Sequence, residues 1–326
     1  MGKFESPPVL LLAFNRPENT QKVFEAIAQA KPSQLFFAVD GPRIGNKVDL
    51  EKSEQVKKII EQVNWPCEVK TLFHEKNIGC KLAVSGAITW FFEHVEAGII
   101  LEDDCVPSSD FFDFCNVMLE RYKDKTEIMM ISGSNFYAEK NLYGIENGCF
   151  LSKYFSAWGW ATWRRAWKNY DFSMQSIERK KLCQKLKQAF RYSFARIYYL
   201  QIYDELKRNE INAWDYQWFF KNLVLTGYAL VPAKNLVKNI GIEGVHFVPG
   251  SKELRFLNLE TQRLDITLVS AVLACDSRYH EALVRDIVSD FSKYKLLLKT
   301  VLYFFGLYKF VFKLRQWKKK LKQFFV

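Results

Sequence analysis

The sequence predicts an α/β protein with a mostly parallel central sheet, helices on both faces and a helical C-terminal region. Three observations carry this. Short, continuous apolar runs recur through the first 135 residues, stretches with helical apolar spacing separate them, and polar clusters stand directly behind three of the runs. Continuous rather than alternating apolar runs belong to strands covered on both faces, which is the signature of a parallel sheet between helical layers.

The elements follow in order. "PVLLLAF" (8–14) is the first strand and runs into Asn15-Arg16-Pro17. "ENTQKVFEAIAQA" is a helix with Glu18 in its first turn. "QLFFAVD" (34–40) is a strand ending at Asp40-Gly41-Pro42, and a helix spans 51–63. "CEVKTLF" (67–73), a helix over 81–95, and "GIILEDD" (98–104) come next. A helix over 108–122, capped by Ser108 or Ser109, leads to "EIMMISG" (127–133). Past residue 135 the pattern loosens. "YFSAWGWATWRRAW" (154–167) is dense in aromatics, 176–209 reads as two basic helices, and "AWDYQWFFKNLVLTG" opens another. "YALVPAK" (228–234) is expected as the last strand, with residues 258–293 helical. No repeat and no low-complexity linker interrupts the chain.

Composition narrows the classes of function. The 326 residues are 49% hydrophobic and 25% charged, ordinary globular values, with a high aromatic share of 16%. The net charge of +11 sits almost wholly at one end: ten Lys or Arg and no acid lie between Lys293 and Val326. The remainder is close to neutral, which argues against a nucleic-acid-binding fold. Seven scattered cysteines without a CxxC pair point to reduced thiols in a cytosolic compartment. The N-terminal apolar run is too short for a signal peptide. The tail "KYKLLLKTVLYFFGLYKFVFKLRQWKKKLKQFFV" is interrupted by Lys299, Gly306 and Lys309, so it suits an interfacial amphipathic segment on an anionic membrane surface better than a span. A final helix with a solvated basic face is the plainer alternative.

There is no GxGxxG after the first strand and no GxxxxGK[ST], which disfavours dinucleotide and P-loop phosphate cradles. Polar clusters at three strand ends point to a ligand crevice beyond the sheet's carboxyl edge. In "AGIILEDDCVPSSDFF" a buried strand ends in Glu102, Asp103 and Asp104. Such charges need compensation. Strand alternation would send Glu102 and Asp104 to one side and Asp103 to the other. Hard oxygen ligands suit Mg²⁺ or Mn²⁺ together with a substrate's phosphates. A solvated strand end followed by a helix cap remains the alternative.

"GIILEDDCVPSSDFFDF" resembles the acidic signature of nucleotide-sugar glycosyltransferases of the GT-A fold, above all the N-acetylglucosaminyltransferase I family. The resemblance extends over about residues 8–247, through "PVLLLAFNRP", "FAVDGP", "EKNIGCKLAVSGAITWFFEHVEAGIILEDD", "SAWGWATWRRAW", "WDYQW" and "NIGIEGVHF", blocks also similar to bacterial sugar transferases involved in polysaccharide and lipopolysaccharide synthesis. It implies a GT-A catalytic domain over 1–250, with a nucleotide-binding half (1–135) and an acceptor half (136–250). A helical extension (251–292) and the basic, aromatic membrane-associating tail (293–326) would follow. By the same resemblance Asp104 binds the metal (Mn²⁺ or Mg²⁺) that bridges to the diphosphate, and His246 is a second candidate ligand. Asp103 lies near the ribose and Glu102 near the donor sugar, while Phe14, Asn15, Arg16, Asp40, Asn77 and Lys81 flank the nucleotide. Asp215 is the base of an inverting transfer, with an N-cap as its plainer role. Trp158, Trp160 and Trp214 form an acceptor wall unless they are core. The expected activity is metal-dependent sugar transfer from a nucleotide-diphosphate donor, a UDP-sugar in first place. The acceptor would be a glycan or glycolipid at the cytoplasmic face of the membrane, where the enzyme sits peripherally. A sugar-phosphate nucleotidyltransferase and a non-catalytic binding protein of the same fold are the alternatives.

Overall fold

The structure is a computed structural model that describes residues 6–140, 146–241 and 256–269, most of 272–288, and isolated positions as far as 307. Its strands are β1 (Val9–Ala13), β2 (Gln34–Val39), β3 (Glu68–Phe73), β4 (Ala97–Glu102), β5 (Cys105–Pro107) and β6 (Ile128–Ser132). They continue as β7 (Cys149–Ser152), β8 (Trp160–Trp163), β9 (Tyr228–Pro232), β10 (Val237–Asn239) and β11 (Val272–Leu273). The helices are α1 (Pro17–Ala30), α2 (Lys47–Lys58), α3 (Cys80–His94), α4 (Ser109–Arg121), α5 (Arg164–Trp167), α6 (Arg179–Ala189), α7 (Ser193–Lys207), α8 (Asp215–Val224) and α9 (Ser277–Val288).

A nine-stranded sheet runs β11-β7-β9-β6-β8-β4-β1-β2-β3. One half, β4-β1-β2-β3, is wholly parallel. Alternate residues of β1 explain why both faces are covered. Val9 and Leu11 belong to a core under α1, α2 and α4, whereas Leu10 and Leu12 belong to a second core under α3 and α6 to α9. Both sets are buried, which is why the run reads as continuous apolar sequence.

The less regular half departs from expectation in three places. The aromatic block contains β8, which is antiparallel to both β4 and β6 and wedges between them. Its entry depends on Gly159 at φ 62, whose carbonyl accepts from the Gly133 N–H at 2.8 Å. Strand β9 is not the last, because β10 pairs with β5 and β11 with β7. Residues 258–269 form no α-helix, only a 3-10 turn at Ile266–Leu268: Asn258 takes φ 57, and backbone bonds join Asn258 to Asn239 and Gln262 to Asn235. Asn235 holds this segment further, donating to the Leu259 and Glu260 carbonyls. Among the described residues of 258–293, the α-helix is α9.

Two caps also differ. Helix α2 starts at Lys47 rather than 51, because the Asn46 side chain accepts from the Asp49 N–H at 3.0 Å. Ser108 is the N-cap of α4 but makes no side-chain cap bond, and its buried Oγ has no partner among the described residues.

Register depends on the close approach of α3 to β4 at Gly98. A Cβ there would overlap the ring of Phe91, which is fully buried, and stand 2.7 Å from the Pro8 carbonyl oxygen. Gly98→Ala is therefore expected to destabilise the protein by about 1–3 kcal/mol through overpacking, read as a lower denaturant midpoint at unchanged slope. A midpoint equal to wild type would mean that the helix moves aside without cost.

Candidate functional site

Register assembles the site. Leu12 of β1 stands beside Glu102 of β4, and Ala13 stands beside Val39 of β2. The loop 14–16, the acidic cluster and Asp40 therefore lie side by side at the carboxyl edge, where open α/β sheets bind ligands.

The chain leaves β4 at Glu102, and Asp103 and Asp104 occupy the turn into β5. The strand alternation expected through Asp104 accordingly stops two residues early, at Glu102, and Asp103 and Asp104 face the same partner. That partner is Arg16. Its Nη1 donates to Asp104 Oδ2 at 2.8 Å and its Nε to Asp103 Oδ2 at 3.2 Å, and Nη2 pairs with Asp103 Oδ1. Arg16 is the N-cap of α1 by position, but its side chain makes no cap bond and crosses the crevice instead. Pro17, with its fixed φ and no N–H, starts the helix.

One guanidinium faces three carboxyl groups. Burial pushes the Asp103 carboxyl up although Arg16 pulls it down. Burial also pushes Glu102 up, helped by the charges of Asp104, Asp103 and Asp215. For Arg16, desolvation opposes the charge but Asp103 and Asp104 outweigh it, so the guanidinium stays firmly protonated. Among the described residues the crevice thus sets three carboxyl groups against the one guanidinium of Arg16.

Asp40 plays a different part. Its Oδ1 accepts from the N–H groups of Gly41 (2.9 Å) and Ile78 (3.0 Å), and its Oδ2 from Gly79 N–H (3.2 Å) and Asn77 Nδ2 (2.8 Å). The carboxylate is saturated by these donors and shapes the turn before α3. Asn77 is spent on the same network. Asn15 donates to Asp49 Oδ1 at 2.8 Å, and Arg43 grips the same carboxylate, holding Asp49 down to about 2. Arg43 also lies 5.8 Å from the Phe14 ring. Asp40, Asn15 and Asn77 therefore build the walls of this side of the crevice and have little capacity left for direct hydrogen bonds. Lys81 turns away altogether, its Nζ 4.1 Å from the centroid of Phe172.

Asp215 comes to the crevice from the other half. It is the first residue of α8, not its N-cap, which is Trp214. Its charge raises Glu102 and also Cys80, the first residue of α3. Cys80 keeps an exposed edge, yet crowding by protein, with the charges of Glu102, Asp215 and Asp40, lifts its thiol to about 12. The same side of the crevice is closed by Asn212, whose Nδ2 would lie 3.3 Å from a Cβ on Gly79.

The tryptophans do not form an exposed wall. Trp160 is fully buried and Trp214 is 4% exposed. Their rings stack at 5.9 Å and 19°, with Trp167 and Trp218 packed around them. The Tyr170 hydroxyl donates to the Trp214 carbonyl at 3.1 Å. Trp160 and Trp214 are a rigid base under Asp215. Trp158 is half-buried against Phe136, with ring centroids 5.1 Å apart. His246 lies outside the described residues.

Among the described residues no group of three or more His, Cys, Asp or Glu is arranged to hold a metal by itself. The donor chemistry still fits a hard cation shared with a ligand's phosphates, since Mg²⁺ and Mn²⁺ sites often use one or two carboxylates. With Glu102, Asp104 is one of the two partly exposed carboxyl groups of the cluster, Asp103 being buried. Residues 239–241 close over it: Ile240 N–H donates to its carbonyl at 2.8 Å, and a side chain at Gly241 would collide with its Oδ2. Asp49, Cys80 and Gly241 escaped the sequence reading, although "NIGC" at a helix start and the glycine in "NIG" mark the last two as close approaches.

Loss of Arg16 should expose the charge surplus. Folded-state carboxyl pKa values raised above the unfolded value give stability that is present below the unfolded pKa and lost as pH rises through the folded one. Arg16→Gln removes the cation that limits this rise. The variant's deficit in unfolding free energy should be small near pH 5 and widen toward pH 8, reaching roughly 3 kcal/mol, the scale for breaking a buried pair. A deficit that is constant with pH would show that Arg16 acts by packing alone.

No family model matches the chain, and no curated protein matches it. Solved structures that overlap with it include HddC from Yersinia pseudotuberculosis, at 8% identity and a TM-score of 0.30, covering 50% of this chain and 80% of that one. Another is the 4-diphosphocytidyl-2C-methyl-D-erythritol synthase of Anaerococcus prevotii, at 7% identity and a TM-score of 0.29, covering 52% of this chain and 80% of that one. Overlaps this slight leave the function to be argued from the site itself.

Proposed function

We propose that the chain is a metal-dependent, inverting glycosyltransferase that takes a sugar from a nucleotide-diphosphate donor, a UDP-sugar in first place. One observation carries this: an under-compensated acidic cluster at the carboxyl edge of a parallel sheet, with the Asp215 carboxylate near enough across the crevice to perturb it. Asp104 would hold Mn²⁺ or Mg²⁺, which when bound neutralises a diphosphate leaving group. Arg16 fixes the rotamers of Asp103 and Asp104, and protonated Glu102 can donate to a donor-sugar hydroxyl. Asp215 takes the proton of the acceptor hydroxyl as that oxygen attacks the anomeric carbon. The exposed Asp215 sits at the rim, where an acceptor arrives from solvent.

Two substitutions separate these roles. Asp104→Asn should abolish Mn²⁺-dependent binding of nucleoside diphosphate, measured by calorimetry. Asp215→Asn should leave that binding near wild type while lowering kcat by about 10²-fold or more. The first assignment fails if Asp104→Asn binds normally, and the second if Asp215→Asn turns over normally. Release of pyrophosphate from a nucleoside triphosphate, with no turnover of any nucleotide sugar, would identify a sugar-phosphate nucleotidyltransferase instead.

We also propose that the acceptor is a glycan or glycolipid met at the cytoplasmic membrane face, and that the C-terminal region docks there. Among the described residues no helix is long and apolar enough to cross a membrane. Tyr294, Leu297, Leu298, Val301, Phe305 and Leu307 are exposed apolar side chains in the lysine-rich region, which supports interfacial contact. Full-length protein should co-sediment with anionic liposomes, less with neutral ones and less in high salt, because each basic residue near such a surface contributes about 1 kcal/mol that salt screens. A chain ending near Asp290 that still sediments would remove the tail from this role.

A further inference from the structure

Away from the acidic cluster, a cavity of about 180 Å³ opens between α3, the turn at 172–174, the end of α7 and the first turn of α8. Its floor is Gln217, two residues beyond Asp215 and completely buried. Both atoms of the Gln217 amide, Oε1 and Nε2, lack a hydrogen-bond partner among the described residues. An amide left in this state carries the full penalty of lost hydration. Its rim carries Lys81 and Lys207. Among the described residues neither ammonium has a carboxylate partner. Lys81 rests on the Phe172 ring, and Lys207 donates only a long bond of 3.3 Å to the Met174 carbonyl. Asn209, at φ 56 just past α7, adds a second amide to the rim.

These groups define their complement. Two unpaired cations call for an anion. Nε2 of Gln217 calls for an acceptor, and Oε1 calls for a donor, which an anion alone does not supply but an adjacent hydroxyl does. We infer that this cavity is a binding subsite for the phosphate or carboxylate group of a hydroxylated small molecule. Asp215 and Gln217 share the first turn of α8, but two residues apart they face different sides of it, so the cavity is separate from the crevice that Asp215 joins and the inference stands apart from the glycosyl-transfer reading.

Calorimetric titration of the full chain with glycerol 3-phosphate, glycerate and glycerol tests this, without donor or metal. Glycerol 3-phosphate or glycerate should bind, and glycerol should not; the stronger of the two names the anion. Lys207→Gln should weaken that binding by tenfold or more. Gln217→Leu should do the same while keeping a Tm at or above wild type, because it removes an unsatisfied amide, whereas a purely structural glutamine would lose Tm. Wild-type affinity in both variants, or no binding of either anion to the wild type, overturns the inference and leaves the cavity to ordered water. Donor turnover without anion binding sinks this subsite alone. Anion binding without donor turnover keeps the subsite and sinks the transferase.

Discussion

The Arg16 guanidinium across Asp103 and Asp104 is the contact on which the crevice depends. It joins the loop after β1 to the turn after β4, two strands that already share register through Leu12 and Glu102. Without a positive group here, three consecutive carboxyls at the mouth of a buried strand would repel one another and the turn into β5 would open. Breaking such a pair costs more than forming it gains, because the remaining charge is left poorly hydrated. The pairing therefore specifies the geometry of the turn more than it stabilises the domain. The same logic recurs at Asp40 and Asp49, whose carboxylates are filled by backbone and side-chain donors and so hold the neighbouring loops.

A saturated Asp40 and an unsaturated acidic cluster form a division of labour along one edge. The oxygens of Asp40 are occupied by four donors, which fixes the side chain and the loops it joins. At the mouth of β4, burial raises the pKa of Glu102 and Asp103 while both Asp103 and Asp104 share the Arg16 guanidinium. Perturbed groups gather where the sheet ends, and Asp215 joins them from a helix over a hundred residues away.

The parallel half of the fold was legible because its signal is local. β1 to β4, β6 and the helices between them fall within a few residues of where apolar period and caps place them. The second half was less legible because its determinants are long-range. Strand β8 is antiparallel on account of Gly159, Gly133 and the space between β4 and β6, none of which periodicity reports. The segment after Asn258 has helical apolar spacing, yet Asn235 and Asn239 capture its backbone from a distant strand end. At the site, residue types at strand ends pointed to the right neighbourhood, but not to the partners. Arg16 and Asp40 looked alike as polar strand-end residues. One proves to compensate the acidic cluster and the other to organise a turn, a distinction that requires distances.

The aromatic wealth of the second half finds its use in the same geometry. A small helix of ten residues such as α8 is marginal on its own. Trp214 and Trp218 set it against Trp160 and Trp167 in a buried cluster, and Tyr170 fixes the Trp214 carbonyl at the point where the helix begins. Large rings with few rotamers suit that task, since they fill volume at low entropic cost and resist displacement. The consequence is a rigid first turn that presents Asp215 on one side, toward the acidic cluster, and Gln217 on the other, toward the cation-lined cavity. Trp160 and Trp214, expected as part of an acceptor wall or as core, are core: they are the buried foundation of the turn that carries Asp215 and Gln217.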